Sequence, residues 1–312
     1  MKNIDIIIPV YNEGSKLESN LRAIWSYASK VSGICWRMII VDDGSTDETH
    51  SLLKAYCNSN NDAQMVCLTR NFGKEAAILA GLEHSSADAV IVMDSDLQHP
   101  PELIPQMVGI WLQSVEVIEA CKSSRGNETV LKKKLAQCFY STFRMLAGRD
   151  LANHSDFKLL DKKVVQAYLK LPERKRFFRG LIPWMGFSSA KVYFDVPDRS
   201  HGASGWSLIK LFRFSIDALS GFTAAPLYFI IFLGMICFVL SLVIGGTALY
   251  FKFTGLAVSG FTTVILLILL IGSFIMFGLG LIGVYLGQIF DEVKRRPVFM
   301  VDNEKSILQD KE

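Results

Sequence analysis

Hydrophobic residues in the first hundred positions fall into short runs, and each run ends in polar residues. Ile4–Val10, Met38–Val41, Val66–Thr69 and Ala89–Met93 are rich in β-branched residues and too short for helices, so each reads as a strand. Their apolar positions are mostly continuous, the pattern of strands buried on both faces of a sheet. Between them the period changes. Leu17, Leu21, Ile24, Trp25 and Ala28 recur at helical spacing, Leu52, Leu53 and Tyr56 mark a second helix, and an Ala-rich third runs to about His84. Ser45 and Glu48 have the spacing of a capping box, with Ser45 as the N-cap of the second helix. Strands alternating with helices predict an α/β fold, a mostly parallel sheet flanked by helices.

The strand ends carry the candidate chemistry. Ala89–Met93 runs into Asp94 and Asp96, and Pro100 and Pro101 then stop the chain from extending. In an extended segment, side chains two apart point to the same side, so two carboxylates converge on one point. Such oxygen pairs suit Mg²⁺ or Mn²⁺, which also bind phosphates. Asn12 and Glu13, Asp42 and Asp43, and Arg70 and Lys74 follow the other three strands. Parallel neighbours would gather these acids and bases along one edge, where open α/β sheets bind ligands. The plain alternative is a set of unrelated polar turns. Cation-binding acids beside phosphate-binding bases point to a nucleotide-diphosphate site. No Walker A pattern is present, and Gly-x-Gly-x-x-Gly is absent after the first strand, which disfavours the usual P-loop and the dinucleotide fingerprint.

Beyond residue 114 the pattern is less regular. Val115–Ala120 predicts a further strand. Lys132-Lys-Lys134 leads into Leu135, Phe139, Phe143 and Leu146, a basic amphipathic helix suited to a membrane surface or to core packing. Arg174–Arg179 interleaves bases with Phe177 and Phe178, and beside a membrane Arg176 and Arg179 would hold a lipid phosphate. The segments Ala218–Phe251 and Phe253–Phe290 carry no charge and are separated by Lys252. Each exceeds the ~20 apolar residues that span a bilayer. Lys294-Arg-Arg296 follows the second, so by the positive-inside rule both chain ends face the cytoplasm. Gly278, Gly280, Gly283 and Gly287 suggest close helix contacts within or between subunits. Residues 303–312 read as a frayed polar tail.

Composition adds exclusions. Half of the 312 residues are hydrophobic, at 50%, and the formal net charge is only +3, too mild for a nucleic-acid binder. The six cysteines form no Cys-x-x-Cys pair and read as buried thiols in a reducing compartment. Asp5 interrupts the first apolar run, so no signal peptide is expected.

Four motifs in order make a specific resemblance: Pro9-Val-Tyr-Asn-Glu13, Asp42-Asp-Gly-Ser-Thr-Asp47, Arg70-Asn-Phe-Gly-Lys-Glu-Ala76, and Asp94-Ser-Asp-Leu-Gln98 with Pro100-Pro-Glu102. Together they resemble family 2 glycosyltransferases of the GT-A fold, in particular the polyprenyl-phosphate enzymes typified by dolichol-phosphate mannose synthase and bactoprenol glucosyltransferases. The resemblance implies inverting, metal-dependent transfer of a hexose from a nucleotide-sugar to a lipid phosphate. It favours UDP-glucose and undecaprenyl phosphate, giving a lipid-linked sugar for cell-envelope or O-antigen glycosylation. Asp94, Asp96 and Gln98 would hold the metal. Pro9, Tyr11, Glu13, Asp42, Lys74, Asp94 and Arg199 would bind the donor.

Asp156-Phe-Lys-Leu-Leu-Asp161 matches the family's Asp-Phe-Arg-Leu-Leu-Asp, with Lys158 in place of Arg, and implies a catalytic or acceptor-positioning role for Asp156. Arg199–Trp206 resembles a diphosphate-binding loop, although Gly205 stands where many relatives have Lys. The expected layout is a cytoplasmic GT-A domain at 1–205, a juxtamembrane segment at 206–223, spans at 224–251 and 261–290, and a cytoplasmic tail at 291–312. That makes a multi-pass protein of the bacterial inner membrane, expected as a homo-oligomer, with a tetramer one form. Mannosyl or modified-sugar transfer, a processive polysaccharide synthase and a non-catalytic anchor are the competing readings. The sequence lacks the Gln-x-x-Arg-Trp of processive synthases.

Overall fold

The computed structural model describes residues 1–122, 154–174, 176–194, 225–254 and 260–308. The described strands are β1 (Lys2–Val10), β2 (Ile34–Asp42), β3 (Ala63–Cys67), β4 (Ala89–Val92), β5 (Val117–Lys122), β6 (His154–Asp161) and β7 (Ser189–Phe194). They form one sheet in the order β3-β2-β1-β4-β6-β5-β7. Around it lie α1 (Leu17–Ala28), α2 (Thr49–Ser59), α3 (Lys74–His84), α4 (Ile104–Trp111), α5 (Lys162–Leu169) and α6 (Phe178–Trp184).

β1, β2, β3 and β4 are parallel, so their carboxyl ends share one edge. From β1 the chain builds outward through β2 and β3 on one side, while β4 lies on the other. The crevice between β1 and β4 is therefore a topological switch point, where open α/β sheets bind ligands. Ile4, Ile6, Ile7 and Ile8 are fully buried, so both faces of β1 are covered. Each such side chain contributes about 1.5–3 kcal/mol through burial. α3 packs directly on this strand: a Cβ on Gly81 would collide with Cγ2 of Ile7.

β6 runs antiparallel to both β4 and β5. Val92 faces Lys158 in that register, so the start of β6 returns to the edge where β4 ends and delivers Asp156 there. Lys158 and Glu119, also register partners, form a buried ion pair at 2.5 Å. Burial pushes the Lys158 amine down, although the Glu119 carboxylate opposes this.

Two local expectations fail. α2 begins at Thr49 with Glu48 as N-cap and no side-chain capping bond, so Ser45 is not its cap. The Ser45 hydroxyl instead accepts the N–H of Asn12 at 3.1 Å, an inter-loop bond that takes the place of the capping box. The tail is not frayed through residue 308 either. It pairs antiparallel beside β3, with the Met65 and Ile307 amides exchanging bonds of 2.9 and 2.8 Å, and Thr69 donating to the Met300 carbonyl at 2.9 Å. Ile307 packs against the core, and the tail covers a sheet edge that would otherwise expose unpaired backbone.

A second unit contains α7 (Ala225–Phe253) and α8 (Phe261–Val293). Both helices are long and apolar enough to cross a membrane, and their apolar windows are 0% and 6% buried. Among the described residues, exposed apolar side chains recur along both helices. A Cβ on Gly278 would lie 3.4 Å from Ile230, so the glycine is where the two helices approach. The expected basic helix at 132–146, the loop at 199–206 and the juxtamembrane segment at 206–223 lie outside the described residues, apart from the chain boundaries already given.

Candidate active site

At the carboxyl edge of β1 and β4 lies a cavity of ≈ 320 Å³ whose walls include Pro9, Tyr11, Glu13, Asp43, Lys74, Asp94 and Asp96. Its loops are stitched by short polar contacts. Asn12 adopts a left-handed φ of 53°, a conformation asparagine tolerates, and its side chain accepts the Thr46 N–H at 2.9 Å. The Thr49 hydroxyl accepts the N–H groups of Glu13 and Gly14, both at 3.0 Å. Gly44 has φ 68°, and a Cβ there would strike the Arg70 backbone, so only glycine lets these two loops meet. The buried Asp43 carboxylate accepts the Phe72 and Gly73 N–H groups at 2.8 and 2.9 Å, at the amino end of α3.

Acids and bases also meet at this cavity. Lys74 Nζ lies 2.5 Å from Asp94 Oδ1 and 2.7 Å from Asp156 Oδ2. Arg179 grips Asp156 with both Nε and Nη2, at 3.0 and 2.8 Å. Burial alone would raise the Asp156 carboxyl, but the Arg179 and Lys74 cations hold it well below the usual carboxylate range. Lys74 shows the reciprocal effect: against burial, Asp156 and Asp94 lift it to about 12. Burial, then the charge of Asp96, pushes the Glu13 carboxyl up. The His99 ring packs on Phe157 with centroids 5.6 Å apart, and its Nδ1 is 3.8 Å from Asp94 Oδ2. Burial pushes this imidazole down, toward the neutral form.

Glu75 accepts the Phe178 N–H at 2.9 Å and so fixes the start of α6, which carries Arg179. Its carboxyl is pushed up to about 7, by burial first and then by the Asp156 charge. A raised acid holds its proton in the folded chain after the unfolded chain has lost it, so stability falls as pH rises from 4.5 to about 7. Glu75→Gln should flatten that slope in thermal melts taken across the window. An unchanged slope would assign the proton elsewhere.

The structure brings together Pro9, Tyr11, Glu13, Lys74, Asp94 and Asp96 as cavity lining, with Asp156 and Arg179 joined to them through Lys74. Gln98 is held beside Asp96, its N–H donating to Oδ1 at 3.0 Å. Two predicted residues stand apart. Asp42 is buried, and its Oδ1 accepts the Ser45 N–H at 2.9 Å, while Asp43 takes the place on the cavity wall. Arg176 sends Nε, Nη1 and Nη2 to the carbonyls of Glu173, Tyr168 and Leu171 at 3.0, 3.0 and 2.7 Å. It caps the end of α5, a structural use of arginine in place of the expected acceptor contact. Arg199 lies outside the described residues.

Sequence reasoning placed Asp43 at the strand edge but gave the donor role to Asp42, and it missed Asn71 and Ser95 on the cavity wall and the neighbours Glu75 and His99. Asp42 and Asp43 are adjacent in an extended chain, so alternation sends one to each side, and no local signal decides which. Glu75 lies inside a quoted motif and His99 directly follows Gln98 of another, but only the fold gives them neighbours.

Comparison with known proteins places the chain in a family. The model of glycosyl transferase family 2 matches residues 5–169, and the chain belongs to that family. An uncharacterized glycosyltransferase of Synechocystis sp. is 37% identical over 96% of this chain and 95% of its own. A bactoprenol glucosyl transferase of Shigella phage SfV is 31% identical over 97% of this chain and 99% of its own. The solved glucosyl-3-phosphoglycerate synthase of Mycobacterium tuberculosis, in complex with Mn²⁺, UDP and glucosyl-3-phosphoglycerate, is 21% identical with a TM-score of 0.46, over 70% of this chain and 78% of that one.

Proposed function

We propose that this family 2 glycosyltransferase transfers glucose from UDP-glucose to a polyprenyl phosphate, with inversion at the sugar carbon. The acceptor would be undecaprenyl phosphate, met at the cytoplasmic face of a bacterial inner membrane. α7 and α8 would span that membrane, in a homo-oligomer. The product is a lipid-linked sugar for envelope glycosylation. One observation carries this reading: Lys74 joins Asp94 to Asp156, and Arg179 closes the network, in a crevice also lined by Tyr11 and Glu13. That gives acids for a cation, bases for phosphates and an aromatic ring for a base in one place. The full-length similarity to a bactoprenol glucosyl transferase supports the acceptor.

The donor set fits a hard divalent ion. Asp94 and Asp96 line one cavity, and the raised Glu13 carboxyl beside them reflects acidic crowding as well as burial, which a cation relieves. With Gln98 they would hold Mg²⁺ or Mn²⁺. Such an ion, when bound, supplies Lewis-acid stabilisation of the departing diphosphate.

The chain's own groups do the remaining work. The exposed Tyr11 ring offers a face for the uracil, and Lys74 sets positive charge where two carboxylates converge. Arg179 supplies a second cation, suited to an acceptor phosphate. Asp156, held ionised by both cations, is a poor proton acceptor and orients them instead. A lipid phosphate is already anionic and needs little deprotonation. Proximity and charge stabilisation then lower the barrier.

A nucleotide-sugar panel with purified protein and undecaprenyl phosphate tests the reading. UDP-glucose should be consumed with release of UDP, leaving one phosphate and one β-linked sugar on the lipid. UMP as the stoichiometric product would mean phosphosugar transfer, and turnover with GDP-mannose alone would change the donor. A long polymeric product would favour a processive synthase.

A further inference from the structure

A second cluster of ligating side chains lies behind the cavity wall, on groups the proposed reaction does not use. Asp42 ends β2, Cys67 ends β3, and the two are register partners in parallel strands. His50 comes from the first turn of α2 and reaches between them. Its Nδ1 is 3.3 Å from Asp42 Oδ2 and 3.4 Å from Cys67 Sγ. All three ligand atoms lie within 4.8 Å of one another. Asp42 and Cys67 are buried and His50 is half-buried, so the cluster is shielded yet reachable from one side.

The metal-free thiol donates to the Lys305 carbonyl at 3.6 Å, but hydrogen bonding serves the imidazole less well. One imidazole nitrogen carries at most one proton, yet Nδ1 faces both a carboxylate and a thiol. The contact to oxygen, at 3.3 Å, is longer than the 2.7–3.2 Å of ordinary N–H···O bonds. The two separations from Nδ1 suit a shared cation. Zinc binds His nitrogen and carboxylate oxygen at about 2.0–2.1 Å and Cys sulphur at about 2.3 Å. Tetrahedral bonds of those lengths put N and O about 3.3 Å apart, and N and S about 3.5 Å apart.

We propose that Asp42, His50 and Cys67 form a second metal site, for a borderline-soft divalent ion of the Zn²⁺ class, distinct from the Asp94–Asp96 pair. The donor types separate the two sites: N, O and S here, oxygen alone there, so Mg²⁺ should not compete. A carboxylate and a thiolate balance the two charges of the ion, leaving a neutral buried complex. Outer contacts already orient the ligands, as in established metal sites. Asp42 Oδ1 accepts the Ser45 N–H at 2.9 Å. The Cys67 N–H donates to the Ser306 hydroxyl at 2.9 Å. An ion held here would fasten the loop after β2, the first turn of α2 and the strand-paired tail to one point.

The full chain, purified in detergent and stripped with a chelator, should take up one Zn²⁺ per chain in competition with a chromophoric chelator. A large excess of Mg²⁺ should not displace it. His50→Ala and Cys67→Ser should each weaken binding at least ~100-fold, since each removes one of three protein ligands. Asp96→Ala should keep the stoichiometry. Co²⁺ in place of Zn²⁺ should give a sulphur-to-cobalt charge-transfer band in the wild type that Cys67→Ser lacks. Failure of the wild type to bind stoichiometric Zn²⁺, a Co²⁺ spectrum without that band, or equal affinity in both folded variants overturns the site. If either variant fails to fold, the wild-type stoichiometry and Co²⁺ spectrum decide.

Discussion

Asp96→Ala should leave a folded protein whose turnover falls at least ~100-fold, the scale seen when one charge-stabilising group of an active site is removed. The side chain is exposed, and the hydrogen bond it accepts from the Gln98 N–H spans a local turn. Its loss therefore threatens little of the core. Asp94 is a less clean test, because it also pairs with Lys74 at 2.5 Å, and its removal would disturb the Asp156 network too. Activity of the wild type should disappear on chelation and return with Mg²⁺ or Mn²⁺. Circular dichroism would establish that the variant is folded, and steady-state turnover would measure the loss. Full turnover in the variant, or in the chelated wild type, would take the metal out of the reaction.

The parts of the fold that were legible in sequence are those where burial and local period agree. β1, β2, β3 and β4 are buried runs in a parallel sheet, and a continuous apolar run is what double-sided burial demands. α1 buries Leu17, Leu21, Ile24 and Ala28, the stripe that helical spacing predicts. β6 was recognised as a motif but not as a strand. Its Lys158 is fully buried, and a charge there looks like a surface position until Glu119 of β5 is set opposite it. β7 alternates, with Val192 and Phe194 buried and Tyr193 exposed, but its Ser189, Ala190 and Lys191 give the first half no apolar run to read as a strand. The tail's pairing with β3 depends on residues more than two hundred positions apart, beyond the reach of any local pattern.

The site divides in the same way. Asp94 and Asp96 do line one cavity as expected, but β4 ends at Val92 and Asp96 lies in a turn, so the turn and not strand alternation brings them together. The pairing of Arg179 with Asp156, and not with an acceptor alone, needed the return of β6 to the sheet edge. The aromatic neighbours of Arg179 suggested a headgroup boundary. Phe178 is instead fully buried, edge-on to Tyr168 with centroids 5.7 Å apart. Its burial fixes the first turn of α6, so that the next residue, Arg179, reaches the site.

Asp156→Asn should destabilise the protein by about 1–3 kcal/mol and lower turnover ~100-fold through misplaced groups. The cost is less than that of breaking a fully buried ion pair, because the Lys74 and Arg179 side chains are 40% and 31% exposed and can be rehydrated. Asp156 is 7% exposed and joins two cations that come from different elements, Lys74 at the start of α3 and Arg179 on α6. Asparagine keeps the shape but not the charge, so Lys74 would retain only Asp94 and Arg179 would lose its bidentate partner. The pH dependence separates this role from that of a general base. Because the folded carboxyl lies below the ordinary 3.8, its stabilisation is full above that value and is lost as pH falls through the folded one. The melting temperatures of wild type and variant should therefore differ at neutral pH and converge in acid. Between those limits Asp156 stays ionised throughout, so its replacement should scale the pH–rate profile down without changing its shape. A wild-type acidic limb that Asp156→Asn abolishes would make Asp156 the proton acceptor and overturn the orienting role.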